Sequence, residues 1–279
     1  MILWEPQGQP RGIVQLVHGM AEHIGRYDEA ARFLCGQGFA VVGHTHGGHG
    51  PQASILGFFG KRGGWDSLLA DIHQVRERAQ AEWPQTPYYI LGHSMGSFLT
   101  RCYILAHSQG LAGAALSGTG YYPPAMTLGG LALARLYILL GQGMRRAKLI
   151  DHFVGGEGLD WLSRDEEQVR KYAQDPYCGF LFTAYGYRDL FDGLNRLSHE
   201  SCLKGLPPTL PIYLFSGNAD PVGQMGRGVP RVAEQYRRAG LQDVTVKIYP
   251  GGRHEMLNEL NRQQVLDDLA QWLTRELPG

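Results

Sequence analysis

Excess charge of either sign is absent from this chain: lysine and arginine together number 26, and so do aspartate and glutamate. With no net charge and no basic run, electrostatics alone draws it neither to nucleic acid nor to an anionic membrane. Cysteine is scarce as well. The four, Cys35, Cys102, Cys178 and Cys202, are widely spaced and form no Cys-x-x-Cys pair, which argues against a zinc ribbon, a redox motif or a disulfide framework. No run of about 18 or more apolar residues occurs, and the nearest approach to one, residues 125–141, carries Arg135 and several glycines. The opening Met1-Ile2-Leu3-Trp4-Glu5-Pro6 lacks the basic region and apolar stretch of a secretion signal. The expectation is a cytoplasmic protein with reduced thiols. A length of 279 residues suits one large α/β domain with room for an insertion.

What is present is a repeated alternation of strand and helix patterns. Residues 13–17 form a β-branched run ending in a His-Gly turn; residues 28–35 have a helical pattern, and residues 39–42 form a second strand. This βαβ unit favours a parallel sheet. Trp65, Leu68, Leu69, Ile72, Val75, Ala79 and Trp83 recur at spacings of three, four and seven, which predicts a long amphipathic helix lying on that sheet. A strand from Tyr88 leads into Gly92-His93-Ser94-Met95-Gly96 and a helix behind it, and residues 111–117 give a further strand. From residue 121 to about 205 the alternation lapses, and helical patterns at 128–140, 165–173 and 175–185 replace it. A structureless loop of that length would be unusual. The organisation expected is therefore a core (1–120), an inserted helical cap (121–205), and the rest of the core (206–279). Leu128, Leu131, Leu136 and Leu139 are its candidates for contact with an acyl chain. The alternation then resumes with strands at 211–216 and 244–249 and helices at 229–239 and near the end.

The chemistry centres on Ser94. A serine between glycines on a tight strand-to-helix turn presents its hydroxyl outward, and the helix start aims backbone N–H groups at the same place. Asp220 and His254 follow two later strands. The order Ser, Asp, His, each at a strand's carboxyl end, is the order of an α/β-hydrolase triad. Asp189 and Asp192 are the alternative acids, but they follow no strand. The two oxyanion donors expected are the main-chain amides of Met95, next to the nucleophile, and of Met20, in the loop after an early strand. A rival reading uses His44, His46 and His49. His-x-His-x-x-His after a strand resembles the zinc signature of metallo-β-lactamase-type hydrolases, although Gly48 stands where those enzymes place an aspartate.

Together, His18-Gly19-Met20-Ala21-Glu22-His23 with Arg26-Tyr27, Gly48-His49-Gly50, Gly92-His93-Ser94-Met95-Gly96, Asp220-Pro221-Val222 and Gly252-Arg253-His254-Glu255 resemble the monoacylglycerol lipase and lysophospholipase branch of the serine α/β-hydrolases. The resemblance spans nearly the whole chain outside the cap. It departs at Thr45 and Gly47, where that family has an aspartate and an arginine, and the family's first strand is not evident. It implies an α/β-hydrolase fold: a mostly parallel central sheet with helices on both faces and an inserted helical cap. It also implies hydrolysis of single-acyl-chain esters through an acyl-enzyme, with no cofactor and no metal. The expected partner is a small or lipid ester, with transient membrane-surface contact through the cap and a location cytoplasmic or peripheral to the membrane. The scaffold also hosts carboxylesterases, aryl esterases and aminopeptidases on the same triad, and non-catalytic ligand-binding relatives.

Overall fold

The computed structural model describes residues 1–151 and 158–277. Seven strands form one sheet in the order β1-β3-β2-β4-β5-β6-β7: β1 (Ile2–Trp4), β2 (Gly12–Val17), β3 (Phe39–Gly43), β4 (Tyr88–His93), β5 (Leu111–Ser117), β6 (Ile212–Gly217) and β7 (Val244–Tyr249). All neighbours are parallel except β1, which pairs antiparallel with β3. The sequence pattern predicts no strand at residues 2–4, because a three-residue edge strand with two exposed side chains carries no readable alternation.

Strands β2, β3, β4 and β6 are buried along their whole length, which is why they read as near-continuous apolar runs and why helices must cover both faces. On one face, α1 (Asp28–Gly36) and α9 (Arg262–Arg275) pack over Val14, Leu16, Val41, Tyr89, Leu91 and Phe215. The other face carries α2 (Gly64–Glu82), α3 (Met95–His107) and α8 (Gly228–Arg238), packed over the alternate residues Val17, Ile90, Ala114, Leu116, Ile212 and Leu214. The period of two along each strand therefore feeds apolar packing on both faces of the sheet, Ile13, Ala40, Val42 and Tyr88 adding a smaller cluster under α2 with Val75 and Ala79.

Between β5 and β6 lie α4 (Pro124–Leu139), α5 (Lys148–Asp151), α6 (Glu166–Gln174) and α7 (Ala184–Leu197), with a 3-10 turn at Glu200–Gly205. No strand occurs in this stretch among the described residues. The helical pattern expected over 175–185 is corrected: Asp175 ends α6 in an extended conformation and Gly179 has φ 68°. The next helix starts only at Ala184, where the Thr183 side chain accepts the Gly186 amide at 3.1 Å, an N-cap. The leucines of α4 also behave differently from expectation. Leu131 is buried against the core, whereas Leu128, Leu136 and Leu139 are 51%, 50% and 83% exposed; none of the four reaches the cavity described below.

Candidate active site

Ser94 joins β4 to α3 at φ 52°, ψ −121°, a backbone conformation that costs any L-residue energy and persists only where the surroundings enforce it. The enforcement is visible. The Ser94 amide donates to the Ser117 carbonyl at 2.9 Å, and the Ser97 hydroxyl donates to the Ser94 carbonyl at 2.6 Å. A β-carbon on Gly96 would collide with the Val17 carbonyl, and one on Gly92 would collide with the Gly96 carbonyl and the Thr100 hydroxyl. Both glycines of the motif are therefore required by contact, as the motif's mechanics predict.

Asp220 and His254 are brought together. Nδ1 of His254 lies 3.0 Å from Oδ1 of Asp220, with both side chains fully or almost fully buried. The carboxylate is further held by the Ser216 hydroxyl on Oδ2 at 2.7 Å and the Val222 amide on Oδ1 at 2.9 Å. Burial pushes the Asp220 carboxyl upward, but the charge and hydrogen bond of His254, with the Ser216 hydroxyl and the Gly223 backbone, outweigh it and hold it below its ordinary value. For His254 burial pushes downward, and the charge and hydrogen bond of Asp220, with the charges of Glu255 and Glu22, reverse it to a net rise. Nε2 of His254 is buried and bonds to no protein group among the described residues. Ser94 and His254 line the same cavity of about 170 Å³. Its apolar wall includes Phe98, Leu159, Leu162, Phe180, Leu190 and Leu194. The alternative acids stand elsewhere: Asp189 is bound by Arg188 at 2.6 Å and Asp192 by Arg196 at 2.7 Å.

Met20 and Met95 also line the cavity. Met95 is the first residue of α3, so its N–H has no intrahelical acceptor. Among the described residues, neither the Met20 nor the Met95 amide donates to the protein. The neighbouring Gly19 amide is occupied, donating to Oε1 of Glu22 at 2.5 Å. Glu22 belongs to an ionic cluster that the sequence did not reveal as such. Arg26 bonds Glu22 at 2.5 Å and grips Glu255 with two bonds of 2.7 Å, joining the Met20 turn to the residue after His254. Ser216 left no mark in the linear pattern, and Glu22, Arg26 and Glu255 stood there only as motif residues, because their pairing is made in the fold.

The structure does not gather His44, His46 and His49 into a ligand set. The His18 ring donates through Nδ1 to the Gly19 carbonyl at 2.9 Å and accepts the His46 amide on Nε2 at 2.9 Å. His46 donates through Nε2 to the His18 carbonyl, so its Nδ1 accepts from Nε2 of His44 at 3.2 Å. His49 donates to the Gly47 carbonyl and stacks on Phe59. Burial holds both His44 and His49 down to about 4. His44, His46 and His18 thus form a hydrogen-bonded chain leading to the Met20 loop, with His49 outside it. Ligand atoms do converge at His23, Asp175 and Cys178 among the described residues, but both His23 nitrogens are committed, Nε2 donating to Asp175 at 2.9 Å and Nδ1 accepting the Gly25 amide at 3.2 Å. A neutral imidazole so bonded has no lone pair left for a metal.

A mostly parallel sheet flanked by helices, with a serine on a strained elbow that lines the same cavity as a histidine paired to a carboxylate, both from later strand ends, defines the class as an α/β-hydrolase. The chain belongs to the family Hydrolase_4, described as Serine aminopeptidase, S33, whose model matches residues 8–261. It is 29% identical to the monoacylglycerol lipase of Mycolicibacterium smegmatis, across 99% of this chain and 92% of that one. It is 28% identical to the monoglyceride lipase of Mus musculus, across 98% and 86%. Among solved structures, a thermostable carboxyl esterase from Bacillus coagulans in complex with glycerol superposes with a TM-score of 0.91 at 30% identity, covering 99% of this chain and 93% of the other.

Proposed function

We propose that this chain hydrolyses carboxylic esters carrying a single acyl chain, of monoacylglycerol or lysophospholipid type, through an acyl-enzyme on Ser94. The Ser94 hydroxyl attacks the ester carbonyl as its proton passes to Nε2 of His254, while Asp220 holds the imidazole tautomer and stabilises the imidazolium. The Met20 and Met95 amides receive the oxyanion. His254 returns the proton to the leaving alcohol, and water activated by the same imidazole then releases the acid. The reading is carried by one observation: His254 is bonded to Asp220 at 3.0 Å through Nδ1, with Nε2 uncommitted in the cavity that Ser94 lines.

We read residues 121–205 as a cap on the core made by 1–120 and 206–279. That segment supplies Tyr122, Leu159, Phe180, Leu190 and Leu194 to the cavity wall, an apolar lining suited to an acyl chain. Outside, the exposed leucines of α4 form the surface we assign to transient membrane contact. Ester cleavage is favoured over aminopeptidase action by the relatives, a monoacylglycerol lipase, a monoglyceride lipase and a carboxyl esterase that match over nearly the whole chain. The carboxylates do not discriminate, since Glu22 and Glu255 share one arginine and Asp151 also lines the cavity. The test is a hydrolysis panel of monoacylglycerols, lysophospholipids, p-nitrophenyl esters and aminoacyl amides, with and without a chelator. Turnover of monoacyl esters that survives the chelator is the expected result; turnover confined to aminoacyl amides, or abolished by the chelator, overturns the proposal.

A further inference from the structure

The turn that presents Met20 is anchored at both ends, and the anchors come from different parts of the molecule. At its start the bond from the Gly19 amide to Glu22 is local. At its end the Ala21 carbonyl accepts two bonds from the segment between β5 and β6: the Tyr172 hydroxyl at 3.1 Å and the Gly179 amide at 2.9 Å. Ala21 itself lies at φ 51°, in the left-handed region that residues with a β-carbon leave unless something holds them there. Its immediate neighbour is Met20. Relaxation of Ala21 toward negative φ would turn the Met20–Ala21 peptide and displace the Met20 amide, whose other side is pinned at Gly19.

We infer that Tyr172 is a positioning residue: its hydroxyl, with the Gly179 amide, locks Ala21 in the left-handed conformation and thereby keeps the Met20 amide aimed at the oxyanion. This rests on the ester-hydrolase reading above and adds to it. Oxyanion stabilisation becomes dependent on α6 and the loop behind it being seated on the Met20 turn, so that the segment covering the cavity also completes the donor pair beneath it. The ring of Tyr172 is held independently of its hydroxyl. Arg26 lies over it at 4.7 Å, a contact that phenylalanine would keep.

The test uses the full chain with Tyr172→Phe, assayed well below each protein's own thermal midpoint on a p-nitrophenyl ester and on a monoacylglycerol. Loss of one direct oxyanion donor costs about 10²-fold or more, so an indirect loosening is expected to lower kcat about tenfold on both substrates with KM nearly unchanged. Inhibition by a trifluoromethyl ketone, whose hemiketal with Ser94 needs the same amides, weakens by the same factor. Adding Ala21→Gly to Tyr172→Phe recovers part of the loss, because glycine adopts positive φ without the steric cost that drives alanine out of it. An unchanged kcat on both esters contradicts the inference. So does a loss confined to the monoacylglycerol, which would mark Tyr172 as a contact for the glycerol hydroxyls, and so does the absence of rescue. If the unsubstituted protein turns over neither ester and is not labelled by a fluorophosphonate, the ester reading itself fails; if it is active and Tyr172→Phe matches it, only this inference does.

Discussion

Burial alone would depress the His254 imidazole, yet Asp220 at 3.0 Å and the neighbouring glutamates reverse the effect, and its pKa is raised above the ordinary value of 6.5. A general base must be neutral, so kcat/KM is expected to rise with pH through a midpoint above that value. Asp220→Asn removes the charge that lifts it, which moves the midpoint down and lowers kcat roughly 10⁴-fold. A midpoint at or below 6.5 in the unsubstituted protein, or one that Asp220→Asn leaves in place, contradicts this in a pH–rate profile. The same shift has the opposite sign for stability. A raised histidine pKa contributes stability that is complete below the unfolded value and fades as pH climbs through the folded one, so the protein works where this pair stabilises it least. Ser94, Asp220 and His254 were legible in the sequence because each follows a strand within a few residues. Arg26 was legible only as part of a motif, since its partner Glu255 lies 229 positions away.

At the scale of elements, the β4–α3 junction depends on two glycines for reasons of contact. Gly96→Ala would drive a methyl group into the Val17 carbonyl, backbone that cannot swing aside as a side chain can. The expected outcome is a destabilisation of about 1–3 kcal/mol together with loss of fluorophosphonate labelling; an unchanged thermal midpoint and full labelling would show that the elbow tolerates a β-carbon. Most elements of the core could be read from the sequence, the helices because each has one face to bury and the central strands because they are short apolar runs buried on both faces. The segment from 175 to 183 could not. Its aromatic run resembles a helix face, but Pro176 and Gly179 break the path, and Phe180 and Phe182 instead pack around His49. The signal for the true start of α7 was Thr183, a capping residue ahead of Tyr187, Leu190, Phe191 and Leu194, all buried.

At the scale of the whole molecule, α4 shows where sequence patterning stops. Its leucines surround the helix, so period alone cannot say which of them face the protein. In the fold, α4 lies against α7 through Leu131 and Ala134, and a β-carbon on Gly130 would strike Phe191. Leu128, Leu136, Leu139 and Leu140 are left on the outside. No helix among the described residues is long and apolar enough to cross a membrane; the contact proposed for α4 is interfacial, of the kind that scales with the apolar area presented. Leu136→Asp with Leu139→Asp is therefore expected to abolish flotation with phosphatidylcholine vesicles while leaving turnover of a soluble p-nitrophenyl ester unchanged; equal flotation of both proteins would dismiss α4 as the contact. Nucleophilic catalysis by Ser94 is tested most directly by mapping the residue that a fluorophosphonate modifies and comparing Ser94→Ala with the unsubstituted chain. Modification at Ser94, with kcat on a monoacyl ester falling on the order of 10³-fold or more in Ser94→Ala, is the result predicted. Modification elsewhere, or near-normal turnover without the Ser94 hydroxyl, would contradict it.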